Sequence, residues 1–148
     1  MRALVLIAAL VVCAAPPALA QGRAHGRRYS KRDVEHIIKR LEQNTDRFKK
    51  AVDRELDRSV LDGTRAEDRI NDRVSDFEKT TDRLRDRFDR SDDWRDTRRD
   101  MEDVVREARR ISGLFDRIRA YSRVKSTWNA VKADTNTLAA IYDLPRVP

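Results

Sequence analysis

Residues 122–144, SRVKSTWNAVKADTNTLAAIYDL, are the most apolar run of the chain after its first 20 residues. With Tyr121 at the head, Val124, Trp128, Val131, Thr135, Leu138 and Tyr142 recur at spacings of 3, 4, 3, 4, 3 and 4. A helix turns once every 3.6 residues, so this spacing lays them along one stripe. The segment reads as the central stave of a helical bundle, with Trp128, Leu138 and Tyr142 in the core. Pro145 and Pro148 prevent its extension, which places the helix at about 122–143 and a short tail at 145–148.

Three further stripes precede it. Ser91-Asp92-Asp93 reads as a helix start with acids at the positive end of the dipole, followed by Trp94, Thr97, Met101, Val104, Ala108, Ile111, Phe115 and Ile118. This predicts a helix over about 92–116 with Trp94 in the core. Its boundary with the last helix has two readings, a break at Ser112-Gly113 or a turn around Arg119 to Ser122 with Ser122 as cap. Upstream, Thr64-Arg65-Ala66-Glu67 has the form of a capping box, and Ile70, Val74, Phe77, Thr81, Leu84 and Phe88 follow at coiled-coil spacing over about 65–90. The first helix is expected over about 31–61. Ser30 caps it, Asp33 faces the dipole, and Val34, Ile38, Leu41, Thr45, Phe48, Val52 and Leu56 form its seam before Asp62-Gly63 ends it. Short links favour antiparallel neighbours, so the fold class is all-α, an up-down four-helix bundle over 30–144. The seams of the first two helices are narrow, which makes homodimerisation a candidate way to cover their edges.

The N-terminus carries a different signal. Met1-Arg2 leads into 13 apolar residues, Ala3 to Ala15, then Pro16-Pro17 and Ala18-Leu19-Ala20. A charged start, a short apolar run and an A-x-A site are the parts of a secretory signal peptide, here residues 1–20. The run falls short of the ~20 residues that span a bilayer. Val11 and Val12 precede Cys13, where a lipoprotein box requires small residues, and Cys13 is the one cysteine of the chain. The mature chain therefore has no disulfide and no thiolate chemistry, and its expected location is periplasmic or secreted.

Residues 21–29, QGRAHGRRY, show no apolar periodicity and read as a basic flexible tail. Of the net charge of +7, Arg2, Arg23, Arg27, Arg28, Lys31 and Arg32 account for all but one unit, with no acid among the first 32 residues. Arg23, Arg27, Arg28, Lys31 and Arg32 are the candidate contacts for an anionic surface. Nucleic acid fits that charge but not an exported protein.

The body is 40% charged across the whole chain, largely as interleaved Asp and Arg. Pairs three or four residues apart, such as Glu35 with Lys39, make a soluble helix surface and contribute roughly 0.2–0.5 kcal/mol each. Asp68, Asp72 and Asp76 form a carboxylate column, which Arg65, Arg69 and Arg73 neutralise, so no metal site is assigned. His25 in the tail and His36 off the seam make no ligand pair, and no cofactor is expected. No Gly-x-Ser-x-Gly elbow or Gly-rich phosphate loop is present, and carboxylates beside arginines stay ionised. The chain is not expected to be an enzyme, and no catalytic residue or small-molecule substrate is assigned.

Three patterns resemble a group of small exported bacterial helical proteins of unknown function. They are Leu56-Asp57 to Leu61-Asp62-Gly63-Thr64, Phe77-Glu78 to Thr81-Asp82 to Leu84, and Trp128-x-x-Val131-x-x-Asp134-x-x-x-Leu138-Ala139-x-x-Tyr142. The resemblance implies a helical fold and export, and no activity. The LTxxQ motif of periplasmic stress chaperones is absent. The expected function is non-enzymatic, contact with a protein partner in the periplasm or envelope. The alternative is peripheral binding of anionic lipid through the basic tail and amphipathic helices.

Overall fold

The computed structural model describes residues 29–115 and 122–148, with side chains of residues 122 and 123 excepted. Helix α1 (Lys31–Leu56) starts at a capping box in which Ser30 Oγ accepts from the Asp33 amide and the Asp33 carboxylate accepts from the Ser30 amide. Helices α2 (Arg65–Arg90), α3 (Arg98–Phe115) and α4 (Ser122–Ile141) follow, with a 3₁₀ turn (Trp94–Thr97) ahead of α3. Helix α1 packs on α2 and α4, α2 on α3, and α3 on α4, so the four close a ring around one core. Among the described residues there is no strand, and no helix is long and apolar enough to cross a membrane.

The stripes read from the sequence are the buried faces. All seven seam residues of α1 are buried, as are Ile70, Val74, Phe77, Thr81, Leu84 and Phe88 of α2. In α3, Met101, Val104, Ala108 and Ile111 are buried, with Phe115 half-buried. In α4, Val124, Trp128, Val131, Thr135, Leu138 and Tyr142 turn inward. Asp and Arg on the outer faces give α1 and α2 little intrinsic helix preference, so this burial holds them, each large apolar side chain contributing about 1.5–3 kcal/mol.

The end of α1 and the start of α3 differ from the expectation, while α2 spans the residues expected of it. Helix α1 ends at Leu56, because the next apolar residue, Val60, finds nothing to pack against and is 96% exposed. Residues 57–64 instead fold as turns, Ser59 N to Leu56 O, Asp62 N to Ser59 O and Thr64 N to Leu61 O. Gly63 closes the last of them at φ 72°. Thr64 does cap α2, but the Glu67 carboxylate accepts from the Gly63 amide at 2.7 Å, one residue before the reciprocal position. Ser91 closes α2, its hydroxyl donating to the Arg87 carbonyl. The start signal belongs to Asp93, which caps the 3₁₀ turn by accepting from Arg95 N at 3.0 Å.

Helix α3 runs through Ser112-Gly113, and Ser122 is the first residue of α4 rather than its cap. The handover itself, with Ile118, Arg119 and Tyr121, lies outside the described residues, as do the expected signal peptide and residues 21–28 of the basic tail.

Candidate functional site

The segment after α4 folds back over the bundle, where a tail was expected. Tyr142 N donates to Leu138 O, Asp143 adopts φ 52°, and Leu144 N donates to Ala139 O at 2.7 Å. This is the left-handed reversal that closes a helix, made here by an Asp, a short polar residue that tolerates it. Arg98 of α3 donates to the Tyr142 carbonyl and fixes the reversal against the neighbouring helix. Pro145 then keeps the chain extended, and it crosses α3 and α4.

Between α3 and this crossing segment lies an open groove of about 490 Å³. Val105, Leu144 and Pro145 give it apolar walls, while Arg106, Arg109 and Arg110 line its rim, with Glu102 at one end. A smaller hollow of about 320 Å³ adjoins it along α3, sharing Arg109 and Arg110 and adding Arg73 and Leu114. Arg106 pairs with Asp103, and Arg110 with Glu107 at 2.5 Å. Arg109 donates instead to the Arg146 carbonyl at 3.0 Å. Among the described residues, Arg73 and Arg109 have no carboxylate partner within ion-pair distance. The groove therefore carries unneutralised positive charge beside apolar walls, a combination suited to an acidic group attached to an apolar one.

Tyr142 anchors the end of this region. Its hydroxyl lies 2.8 Å from Thr97 Oγ1 and 3.3 Å from the Trp94 carbonyl, and its ring meets the Trp94 indole edge-on at 5.0 Å. Burial pushes the phenol up to about 12 from 10.0, although the bond from Thr97 opposes the shift. The folded state thus holds this proton more tightly than the unfolded chain. The associated stability is complete below pH 10 and is lost as pH rises toward 12, by about 2–3 kcal/mol. Chemical denaturation across that window should show a smaller decline for Tyr142→Phe than for wild type.

Trp128 is buried and sits between Phe48 at 5.1 Å and Phe77 at 6.0 Å, and Leu138 is fully buried. Trp94 is half-buried at the edge of the bundle, with the Arg95 guanidinium 4.7 Å over its ring. Of the candidate anionic contacts, Arg23, Arg27 and Arg28 lie outside the described residues. Lys31 is the first residue of α1, bonded to the Ser91 carbonyl and 5.6 Å over the Phe88 ring, while Arg32 is exposed. Asp68, Asp72 and Asp76 are exposed on α2, and Asp76 lies 3.8 Å from Lys79. Among the described residues no group of three or more His, Cys, Asp or Glu side chains is placed to hold a metal ion. On the α1 and α2 faces, burial pushes the carboxyls of Glu42, Asp53 and Asp82 up, with Glu78, Asp46 and Asp86 adding to the effect at Asp82.

No protein-family model, curated protein or solved structure matches the chain.

Two clusters escaped the reading of the sequence. Asp134 is 4% exposed and accepts from Arg40 Nε at 2.8 Å and Asn44 Nδ2 at 2.7 Å, joining α4 to α1. That bond holds the Arg40 guanidinium proton more firmly than usual. Asn136 of α4 grips the backbone of Val147, accepting from its amide at 2.7 Å and donating to its carbonyl at 3.1 Å. An acid on the α4 stripe pattern was the available signal for the first. For the second, the available signal was a valine between two prolines beyond a helix stop.

Proposed function

We propose that the protein is a non-enzymatic helical bundle, exported to the periplasm or envelope, that works by contact with a protein partner through the arginine-rimmed groove beside α3. The groove carries the reading. Elsewhere many cations are matched to neighbouring acids, as Lys39 is to Glu35 and Lys49 to Glu78. Arg109 in the groove and Arg73 in the adjoining hollow have no carboxylate partner among the described residues, and they stand beside apolar walls. Arginine and exposed apolar side chains in one recess are the composition of a contact surface, where a desolvated arginine contributes most.

The bundle is read as up-down. Contacts that run in opposite order along the two helices support that sense, Lys31 with Ser91 and Lys49 with Glu78 for α1 and α2, and Arg40 with Asp134 and Phe48 with Trp128 for α1 and α4. Homodimerisation through the α1 and α2 seams is no part of the reading, because those residues are buried within one chain. Export is supported by the form of residues 1–20 and by the resemblance to small exported helical proteins.

The test compares wild type with Arg73→Glu/Arg109→Glu, which breaks no ion pair among the described residues, costs one bond to the Arg146 carbonyl and should leave the circular dichroism unchanged. Immobilised wild type should retain an envelope protein that the reversed chain binds at least about tenfold more weakly, the loss of one well-placed charged contact being sufficient. Cosedimentation with phosphatidylglycerol vesicles supplies the contrary result. Salt-sensitive binding that survives the reversal and disappears on neutralising Arg23, Arg27, Arg28, Lys31 and Arg32 would replace the partner reading with binding to a lipid surface.

A further inference from the structure

Residues 143–148 are held in an unusual way. Val147 is buried to 3% exposure and belongs to the hydrophobic core. Leu144 is half-buried, and Asp143, Pro145, Arg146 and Pro148 are exposed. One side chain therefore anchors the whole crossing.

The other attachments are bonds from helix side chains to the backbone of the segment. Asn136 holds both polar groups of Val147, Arg109 holds the Arg146 carbonyl at 3.0 Å, and Lys132 holds the Pro148 carbonyl at 3.1 Å. Ser112 Oγ lies 3.5 Å from the same carbonyl. A side-chain amide that pairs with the N–H and C=O of one residue recognises an extended chain irrespective of its side chains. A single pocket then supplies the selectivity, which is the division of labour in extended-peptide recognition. Flanking prolines keep the occupant extended before it docks, so little conformational freedom is lost on binding.

We infer that the cleft between α3 and α4 is a peptide-binding site, filled in this structure by the chain's own residues 145–148. Its ligand in trans is an extended partner segment carrying a β-branched aliphatic residue beside proline. The inference rests on the contact reading above and names the chemistry of the partner. The seated segment is its direct support, since the cleft already accommodates Pro-Arg-Val-Pro with both backbone groups of the valine satisfied. The arginine groove adjoins the cleft at Arg109, which is released when Arg146 leaves, so acidic residues next to the aliphatic anchor would meet Arg109 and, beyond it, Arg73. A segment fixed by one buried side chain opens locally without unfolding the bundle. While closed, it competes with any external peptide at the high effective concentration of an intramolecular ligand.

The test titrates the full chain with fluorescein-labelled Leu-Pro-Arg-Val-Pro, the sequence of residues 144–148, by fluorescence anisotropy. Val147→Asp ejects the chain's own anchor and should bind the peptide at least about tenfold more tightly than wild type, because the competitor is gone. Adding Asn136→Ala should abolish that gain. A folded Val147→Asp chain that binds no better than wild type overturns the inference. If arginine reversal still weakens partner capture, the contact reading survives that failure. Wild-type amide exchange gives an independent arm that requires no variant to fold. The Val147 amide should exchange at least about 100-fold faster than the Leu138 amide in α4. Equal rates would mean that the segment opens only with the whole bundle, which also overturns the inference. Concentration-dependent doubling of mass in wild type, abolished by Val147→Asp, would assign the cleft to a second copy and overturn the partner assignment.

Discussion

Replacing Trp128 with alanine is expected to lower the stability of the bundle by about 3–5 kcal/mol, the range for deleting a large aromatic from a packed core. The indole is 6% exposed and is the hub of an aromatic cluster built from every helix. Phe48 of α1 lies 5.1 Å away, Phe77 of α2 lies 6.0 Å away at 73°, and Phe48 in turn meets Phe115 of α3 edge-on at 5.5 Å. Alanine there removes the transfer energy of the ring and leaves a cavity whose walls belong to different helices, which limits collapse. Urea denaturation followed by circular dichroism measures the effect without depending on tryptophan emission. A midpoint close to wild type would place the indole outside the core.

The second large effect concerns the buried carboxylate of Asp134. Arg40→Met is expected to destabilise by about 2–3 kcal/mol, below the roughly 3–5 kcal/mol for breaking a fully buried pair, because 56% of the Arg40 side chain remains in water. The loss comes from Asp134, a carboxyl group at 4% exposure that is left with Asn44 as its bonded partner among the described residues. Adding Asp134→Leu to Arg40→Met should recover most of that stability, since an apolar pair removes the stranded carboxyl group. Additive losses in the double variant would show that the two side chains do not act as a pair.

The seams of α1, α2 and α4 were legible in the sequence because burial in a helical bundle has the period of the helix. Val34 to Leu56 and Ile70 to Phe88 are buried as their spacing indicates. Boundaries set by local chemistry were legible where one side chain decides them, as at Ser30 and Thr64. They failed where packing decides them. The apolar pattern of α1 was carried past Leu56 to Leu61, although no neighbouring helix reaches Val60. Trp94 fitted the α3 stripe by spacing, but the tighter 3₁₀ turn rotates it toward the edge.

The site was less legible than the fold. The groove is formed when residues around 144 return against residues around 105, a contact that no periodicity encodes. Asp134 stood in the quoted C-terminal pattern, but its partner Arg40 lies 94 residues away and no local spacing joins the two. Asn136 grips a backbone, and a backbone has no signature in sequence. The two prolines near Val147 were read as the stop of a helix reaching about 143, whereas α4 ends at Ile141 and the reversal at Asp143 closes it. They gave no indication that the extended segment beyond the stop docks by its valine.

That one chain closes its own core is the claim on which the groove and the cleft both depend. Size exclusion with light scattering on the chain from Gln21, at low and at high salt, measures it directly. The structure leads to a monomer mass at both, since the α1 and α2 seams are already covered. A dimer that persists in high salt and unfolds as a unit would contradict it, and would return those seams to service as interfaces between chains.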